Sequence, residues 1–244
     1  MKLLCVLHAA FEGLGVMGAW AKKKEHTITL VKPYRGEALP PVDAFDFLIV
    51  MGGPQSPLKQ DYFPYLKDEI GLIGAFLEQD KGVIGFCLGA QLLGEACGAR
   101  TERSPEKEVG VYPITLTKDG LQDPLLRELP QTFDVIHWHY DMPGLAPESV
   151  LLASSPGCPR QIVRYAPKAY GFQCHLEITQ EGLALLADKA ACDLTPSFYT
   201  QSKHALLSQP LTEIHQKMDQ VLDRFVHLLE DDSFQVQKNK RTQG

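Results

Sequence analysis

Short apolar runs recur along the chain and predict the strands of a buried sheet. The first is KLLCVLH at residues 2–8, and similar runs follow at residues 45–51, 81–86, 133–138 and 150–154. Runs of this length without a polar face are typical of parallel strands that helices cover on both sides. We therefore expect all five segments to be buried parallel strands.

Amphipathic patterns between these runs predict helices. Apolar side chains in residues 65–79 repeat at spacings of three, four and seven, which places them on one face of a helix. Residues 13–26 predict an earlier helix, residues 27–31 a second strand, and residues 211–230 a last amphipathic helix. Strands that alternate with helices indicate an α/β fold with an open, doubly wound, largely parallel sheet flanked by helices.

The alternation weakens after Arg100. Residues 109–117 alternate only in part, as an edge or antiparallel strand does. Residues 161–167 and 169–175 predict two further strands joined by a tight Pro-Lys turn, and Thr179 suits the N-terminus of the helix that follows. The sheet is therefore expected to be mixed in its second half.

No internal repeat or linker divides the 244 residues of the chain. We predict a single domain over residues 1–232, which includes the C-terminal helices. A polar, disordered tail is predicted at residues 233–244, because this segment lacks the apolar side chains that would dock it.

The charge balance limits the classes of partner. The chain has 30 acidic and 24 basic residues and a net charge of −6, which argues against nucleic acid or an anionic membrane surface. No apolar run reaches the roughly 18 residues that a membrane span needs. The run after Lys2 is also too short for the core of a signal peptide. We expect a cytoplasmic protein without nucleic-acid or membrane partners.

Neither a cofactor nor a metal is predicted. Gly13, Gly15 and Gly18 complete a G-x-G-x-x-G pattern, but the next strand is followed by Lys32 and Arg35 rather than the acidic residue of a dinucleotide site. The two histidines of HWHYD, residues 137–141, face one side of a strand, and the sequence specifies no further ligands for a metal. The six cysteines form no CxxC pair, so most are expected to be reduced, buried thiols.

Cys87 differs from the other cysteines because it lies in a G-x-C-x-G element between a predicted strand and a predicted helix. This is the setting of a nucleophile elbow, in which Gly85 and Gly89 avoid collisions across a sharp turn. The N-terminus of the helix favours the reactive thiolate over the thiol. Cys87 is therefore the predicted nucleophile, whereas an ordinary glycine turn with an incidental cysteine is the alternative.

Two further strings complete a hydrolytic site. MGGPQ follows another predicted strand, so the N–H of Gly53 and the N–H of Leu88 are candidate donors to an oxyanion. In GFQCHLEIT, His175 and Glu177 stand two residues apart at a predicted strand end and therefore face the same side. A carboxylate beside an imidazole fixes the ring, which leaves its other nitrogen for Cys87.

The chain contains the motifs GGP, G-x-C-L-G-x-Q and H-x-E in this order. With these motifs it resembles the class I glutamine amidotransferase family, most closely the stand-alone branch related to GMP synthase. The resemblance runs from about Lys2 to Ala190 and includes FEGLG, DFLIVMGGPQSP and HWHYD. It implies a flavodoxin-like fold with a Cys-His-Glu triad. The implied site residues are the triad Cys87, His175 and Glu177, the oxyanion donors Gly53 and Leu88, and the substrate-binding residues Gln91 and Asp141. The chain departs from many relatives at Leu176, where they have proline, and at Tyr140, where they have glycine.

Three functions follow from this resemblance. The first is hydrolysis of a γ-glutamyl amide, glutamine or another γ-glutamyl compound, through a thioester that releases glutamate and ammonia or an amine. The second is a glutaminase subunit that delivers ammonia to a separate synthetase partner. The third is a regulatory or binding module with an inert triad. An α/β-hydrolase is disfavoured, because in that class the acid precedes the histidine.

Overall fold

A ten-stranded mixed sheet forms the centre of the fold in the computed structural model, which describes residues 1–231. The strand order is β10-β5-β7-β8-β9-β4-β3-β1-β2, with β6 paired to β5 outside this path. The strands are β1 Lys2–Val6, β2 Thr27–Val31, β3 Phe47–Val50, β4 Gly82–Phe86, β5 Glu102–Leu116, β6 Thr132–Met142, β7 Val150–Ser154, β8 Ile162–Ala166, β9 Ala169–Phe172 and β10 Tyr199–Thr200. The predicted tail at residues 233–244 and residue 232 lie outside the described residues.

The first half of the sheet is parallel, as predicted. β1 pairs with β2 and β3, β3 pairs with β4, and β4 pairs with β9, all in parallel. Every residue of β3, β4 and β9 is buried, because helices cover both faces. The continuous apolar runs therefore predicted both the position and the direction of β1, β3 and β4, whereas the parallel pairing of β9 with β4 was not predicted.

The second half of the sheet corrects two of the predicted parallel strands. Residues 133–138 belong to β6, which runs antiparallel to β5, and residues 150–154 form β7, which runs antiparallel to β5 and β8. A parallel crossover needs about a dozen residues, usually with a helix. Only seven residues connect β7 to its neighbour β8, so these two strands reverse direction, whereas β6 is antiparallel through its pairing with β5.

Helices cover both faces of the sheet and confirm the doubly wound α/β prediction. They are α1 Met17–Lys23, α2 Tyr65–Glu78, α3 Leu88–Ala96, α4 Gln180–Lys189, α5 Lys203–Leu207 and α6 Thr212–Glu230. α2 and α3 pack into one apolar core, whereas α1, α4 and α6 pack into the core on the opposite face. α1 is shorter than predicted, because residues 13–16 form a loop before it. No helix in residues 1–231 is long and apolar enough to cross a membrane.

Candidate active site

Cys87 lies at a sharp turn between the end of β4 and the start of α3. Its backbone has φ 49° and ψ −107°, a conformation that residues other than glycine rarely adopt. A β-carbon on Gly85 would collide with the backbone of Gly89, and one on Gly89 would collide with the carbonyl of Val50. The two glycines are therefore required by close backbone packing, and the helix dipole of α3 points at the thiol.

His175 and Glu177 form a short hydrogen bond, with 2.6 Å between Nδ1 and Oε1. The sequence predicts this pair at the end of a strand. β9 ends earlier, at Phe172, so the pair lies beyond the strand. The backbone of His175 instead bridges to Ile136 of β6, with hydrogen bonds of 2.8 and 3.0 Å. The remaining oxygen of Glu177 accepts the N–H of Leu176 at 3.0 Å, so both carboxylate oxygens are engaged.

The electrostatics of this pair favour a protonated ring. Burial alone would disfavour the charged imidazolium, but the carboxylate of Glu177 and the interaction with Cys87 hold the pKa of His175 well above its ordinary value. The thiol of Cys87 is 3.7 Å from the carbonyl oxygen of Trp138, and the residue is 9% exposed. The arrangement thus brings the ring of His175 to the buried thiol of Cys87.

The Gly52–Gly53 segment follows β3 and approaches both the histidine and the cysteine. A β-carbon placed on Gly52 would lie 3.2 Å from Cε1 of His175 and 3.5 Å from Cβ of Cys87. A β-carbon on Gly53 would lie 3.0 Å from the side chain of Leu88. The N–H of Leu88 belongs to the first turn of α3, where backbone donors have no partner within the helix.

The two predicted substrate-binding side chains are held by other residues. Gln91 is buried and donates from Nε2 to the amide oxygen of Gln173 at 3.0 Å. Asp141 accepts a 2.6 Å hydrogen bond from the hydroxyl of Ser56 and forms a 2.7 Å ion pair with Arg103. Asp141 is therefore already paired with a cation, which the sequence did not indicate.

The residues of the candidate site line one cavity of about 1120 Å³. All seven residues that the sequence singled out line it, namely Cys87, His175, Glu177, Gly53, Leu88, Gln91 and Asp141. Its wall also includes Tyr140, whose hydroxyl donates to Asp193 at 2.7 Å. The large side chain at this position thus shapes the wall of the cavity.

Gly13 and Gly15 of the G-x-G-x-x-G pattern also line the cavity. Gly15 has φ 54°, and a β-carbon there would collide with the carbonyl of Glu177. That carbonyl accepts the N–H of Val16 at 2.9 Å. This packing explains Gly15 without a nucleotide.

Sequence reasoning missed three polar residues near the site. Glu12 lines the cavity with one buried, unpartnered carboxyl oxygen, and burial raises the pKa of this group. His8 is fully buried and lies 2.8 Å from the carboxylate of Glu69. The sequence contains a signal for the pair of His8 and Glu69, because Glu69 interrupts the apolar face of α2 between Leu66 and Ile73.

A further group of buried histidines lies on β6, and one of them, His139, lines the cavity. In residues 1–231, Glu108, His137 and His139 bring their side-chain donor atoms within 4.8 Å of one another, as metal ligands would. The amide of Gln161 fills this cluster, at 2.7 Å from the carboxylate and 3.2 Å from each ring. The Nε2 group of Gln161 carries two hydrogens, so these contacts share them, and the absence of a metal stays a prediction.

Comparisons with known proteins identify the family. The family model described as "Glutamine amidotransferase class-I" matches residues 21–191. The chain is 43% identical over 230 residues to the glutamine amidotransferase-like protein YfeJ of Salmonella typhimurium, which covers 91% of this chain and 96% of that protein. The crystal structure of SMU.1228c is 41% identical, with a TM-score of 0.88 over 93% of this chain and 100% of that chain.

More distant relatives agree on the fold. A glutamine amidotransferase from Thermotoga maritima is 24% identical, with a TM-score of 0.83 over 92% of this chain and 97% of that chain. The chain matches GMP synthase of Thermosipho africanus with 34% identity over 134 residues, which is 54% of this chain and only 24% of that protein. The predicted flavodoxin-like fold is confirmed, and the chain belongs to the class I glutamine amidotransferase family.

Proposed function

We propose that the chain hydrolyses a γ-glutamyl amide with Cys87 as nucleophile, His175 as acid and base, and Glu177 as the residue that orients the histidine. The observation that carries this proposal is the buried His175–Glu177 hydrogen bond of 2.6 Å beside a cysteine on a strained turn. Family membership supports the same chemistry.

In the first half of the reaction, the thiolate sulfur of Cys87 attacks the γ-carbonyl carbon of the substrate. The carbonyl oxygen becomes an oxyanion that accepts hydrogen bonds from the N–H groups of Gly53 and Leu88. His175 gives its proton to the departing nitrogen, and the C–N bond breaks. The product is a γ-glutamyl thioester on Cys87 together with ammonia or an amine.

In the second half, water replaces the departed amine. His175 takes a proton from the water as its oxygen attacks the thioester, and the C–S bond breaks to release glutamate and the thiolate. The raised pKa of His175 favours the imidazolium in the resting site, so the ring can donate in the first half and accept in the second.

The size of the cavity favours a substrate larger than glutamine. Its volume of about 1120 Å³ lies just above the range of pockets that hold drug-sized ligands, roughly 300–1,000 Å³. We therefore place a γ-glutamyl compound with a bulky amine beside glutamine as the substrate class. Gln91 and Asp141 are the side chains that would contact its glutamyl part.

A direct test compares hydrolysis of glutamine with hydrolysis of a panel of γ-glutamyl peptides by the purified protein, with Cys87→Ala as the blank. We expect turnover of at least one class by the unmodified protein and a loss of roughly 10⁴-fold or more in the variant. Retained turnover in Cys87→Ala would contradict the mechanism.

The second candidate function is a glutaminase that passes ammonia to a separate synthetase. Its support is the similarity to the amidotransferase part of GMP synthase. In that case glutamine hydrolysis by the chain alone is slow and rises when the partner is added, whereas a γ-glutamyl hydrolase needs no partner. An inert module would leave Cys87 unreactive towards iodoacetamide at neutral pH.

A further inference from the structure

A second buried histidine–carboxylate pair lies against the backbone of the proposed oxyanion segment. His8 follows β1, and its ring is within hydrogen-bond distance of two acceptors. Nδ1 lies 3.0 Å from the carbonyl oxygen of Gly52, and Nε2 lies 2.8 Å from a carboxylate oxygen of Glu69. Both side chains are no more than 1% exposed.

This pair is unusual in its surroundings. Glu69 lies on the apolar face of α2, one turn from Leu66 and Ile73, which are fully buried in the same core. A buried ion pair is often no more stabilising than apolar side chains of similar size. Packing alone therefore does not explain why a histidine and a glutamate occupy these positions.

The geometry of the peptide bond connects His8 to the active site. The carbonyl of Gly52 and the N–H of Gly53 belong to one peptide unit, which is planar, and the described part of the chain contains no cis peptide bond. The two groups therefore point in opposite directions. A hydrogen bond that holds the carbonyl of Gly52 towards His8 turns the N–H of Gly53 away from it.

The hydrogens on the ring of His8 decide whether Nδ1 can donate to the carbonyl of Gly52. Both ring nitrogens of His8 face an oxygen, so Nδ1 donates to Gly52 when the ring is an imidazolium, or when Glu69 carries the shared proton. Once that proton is lost, the remaining ring hydrogen faces the carboxylate. The lone pair of Nδ1 then faces the carbonyl oxygen of Gly52, and the hydrogen bond is gone.

From these contacts we infer that His8 and Glu69 are positioning residues that fix the Gly52–Gly53 peptide with its N–H directed at the oxyanion. This inference rests on the proposed hydrolysis at Cys87. It adds a support to the oxyanion donor, because the ring of His8 holds the carbonyl of Gly52 and the N–H of Gly53 points the other way.

Other titratable groups face the pair. Glu12 interacts electrostatically with His8 from the loop after β1, and Tyr65 interacts with Glu69 from the first turn of α2. His175 faces Gly52 from the far side. The effect of the pair is therefore isolated by comparing variants that leave His175 and Cys87 intact.

The sharpest comparison is His8→Asn with His8→Leu. The two new side chains have nearly the same size, but only the Asn amide has an N–H that can reach the carbonyl of Gly52. We expect His8→Leu to lower kcat roughly 10- to 100-fold with KM within about threefold, because the oxyanion forms only during reaction. His8→Asn should recover at least about tenfold of that loss. Equal kcat values in two variants with matching Tm would overturn the inference.

A second arm does not depend on turnover. A crystal structure of His8→Leu should show the Gly52–Gly53 peptide rotated from its present orientation, and an unchanged peptide would overturn the inference. If the unmodified protein hydrolyses no γ-glutamyl compound, the proposed function fails while this structural result still decides the role of His8.

Discussion

Two buried histidine–carboxylate pairs stand on either side of the proposed oxyanion segment, and they differ in what the ring does. In the pair of His175 and Glu177, the carboxylate holds Nδ1 at 2.6 Å, and the ring faces Cys87. In the pair of His8 and Glu69, the carboxylate holds Nε2 at 2.8 Å, and the ring faces a backbone carbonyl. In our proposals, a histidine–carboxylate pair thus acts on the sulfur of Cys87 in one place and on the orientation of the Gly52–Gly53 peptide in the other.

The two pairs also differ in how the chain builds them. His175 and Glu177 are two residues apart, so a short motif carries the whole unit. His8 and Glu69 are 61 residues apart and meet only because α2 packs over the end of β1. A nearby pair can be recognised as a pattern, whereas a distant pair needs the tertiary structure.

Glu177→Gln is expected to have the largest effect of the changes that test this comparison. The amide cannot stabilise the imidazolium, so we expect kcat to fall roughly 10³- to 10⁴-fold. Proton donation to the departing amine needs the imidazolium, and activity is lost as pH rises through the raised pKa of His175. Because removing the carboxylate lowers that pKa, the alkaline limb should move to lower pH.

The measurement is the pH dependence of kcat for a γ-glutamyl amide, with far-UV circular dichroism to check folding. An alkaline limb that stays in place in Glu177→Gln would mean that Glu177 does not control the histidine. The pair would then resemble the His8 pair, with a role in holding backbone.

The contrast between near and distant pairs also explains which features the sequence predicted. The parallel strands and Cys87 follow from contiguous patterns, because an apolar run or a G-x-C-x-G turn needs no distant partner. The directions of β6 and β7 depend on their antiparallel pairing with β5 and β8, which an apolar run does not reveal. Similarly, the ion pair of Asp141 with Arg103 and the pairing of Glu69 depend on contacts across the fold.

Gly53→Ala changes the segment that lies between the two pairs, and its expected effect is smaller than that of Glu177→Gln. The new β-carbon would crowd the side chains of His8, Gln55 and Leu88. Moving one oxyanion donor in this way should lower kcat roughly 10²- to 10³-fold, with little change in KM.

Gly71→Ala is the matched control for Gly53→Ala. A β-carbon on Gly71 meets no atom within 4 Å, and the residue lies within α2. We expect this variant to gain about 0.5–1 kcal/mol of stability and to keep its kcat. If kcat falls equally in the two variants, the loss in Gly53→Ala cannot be assigned to the oxyanion donor.

The smallest effect on turnover is expected at Glu108, His137 and His139, the third place where buried histidines meet a carboxylate. Ser155 donates to Glu108, with 2.7 and 2.9 Å to its two oxygens, and accepts from Gln161 at 3.0 Å. Ser155→Ala leaves a buried carboxylate with fewer donors, which should cost about 1–3 kcal/mol of unfolding free energy. Urea denaturation measures this loss, and we expect kcat within about twofold of the unmodified protein. β6 carries both histidines of this cluster and the Trp138 carbonyl that faces Cys87. A larger fall in kcat without a loss of stability would therefore mean that the cluster of Glu108, His137 and His139 also acts on the catalytic site.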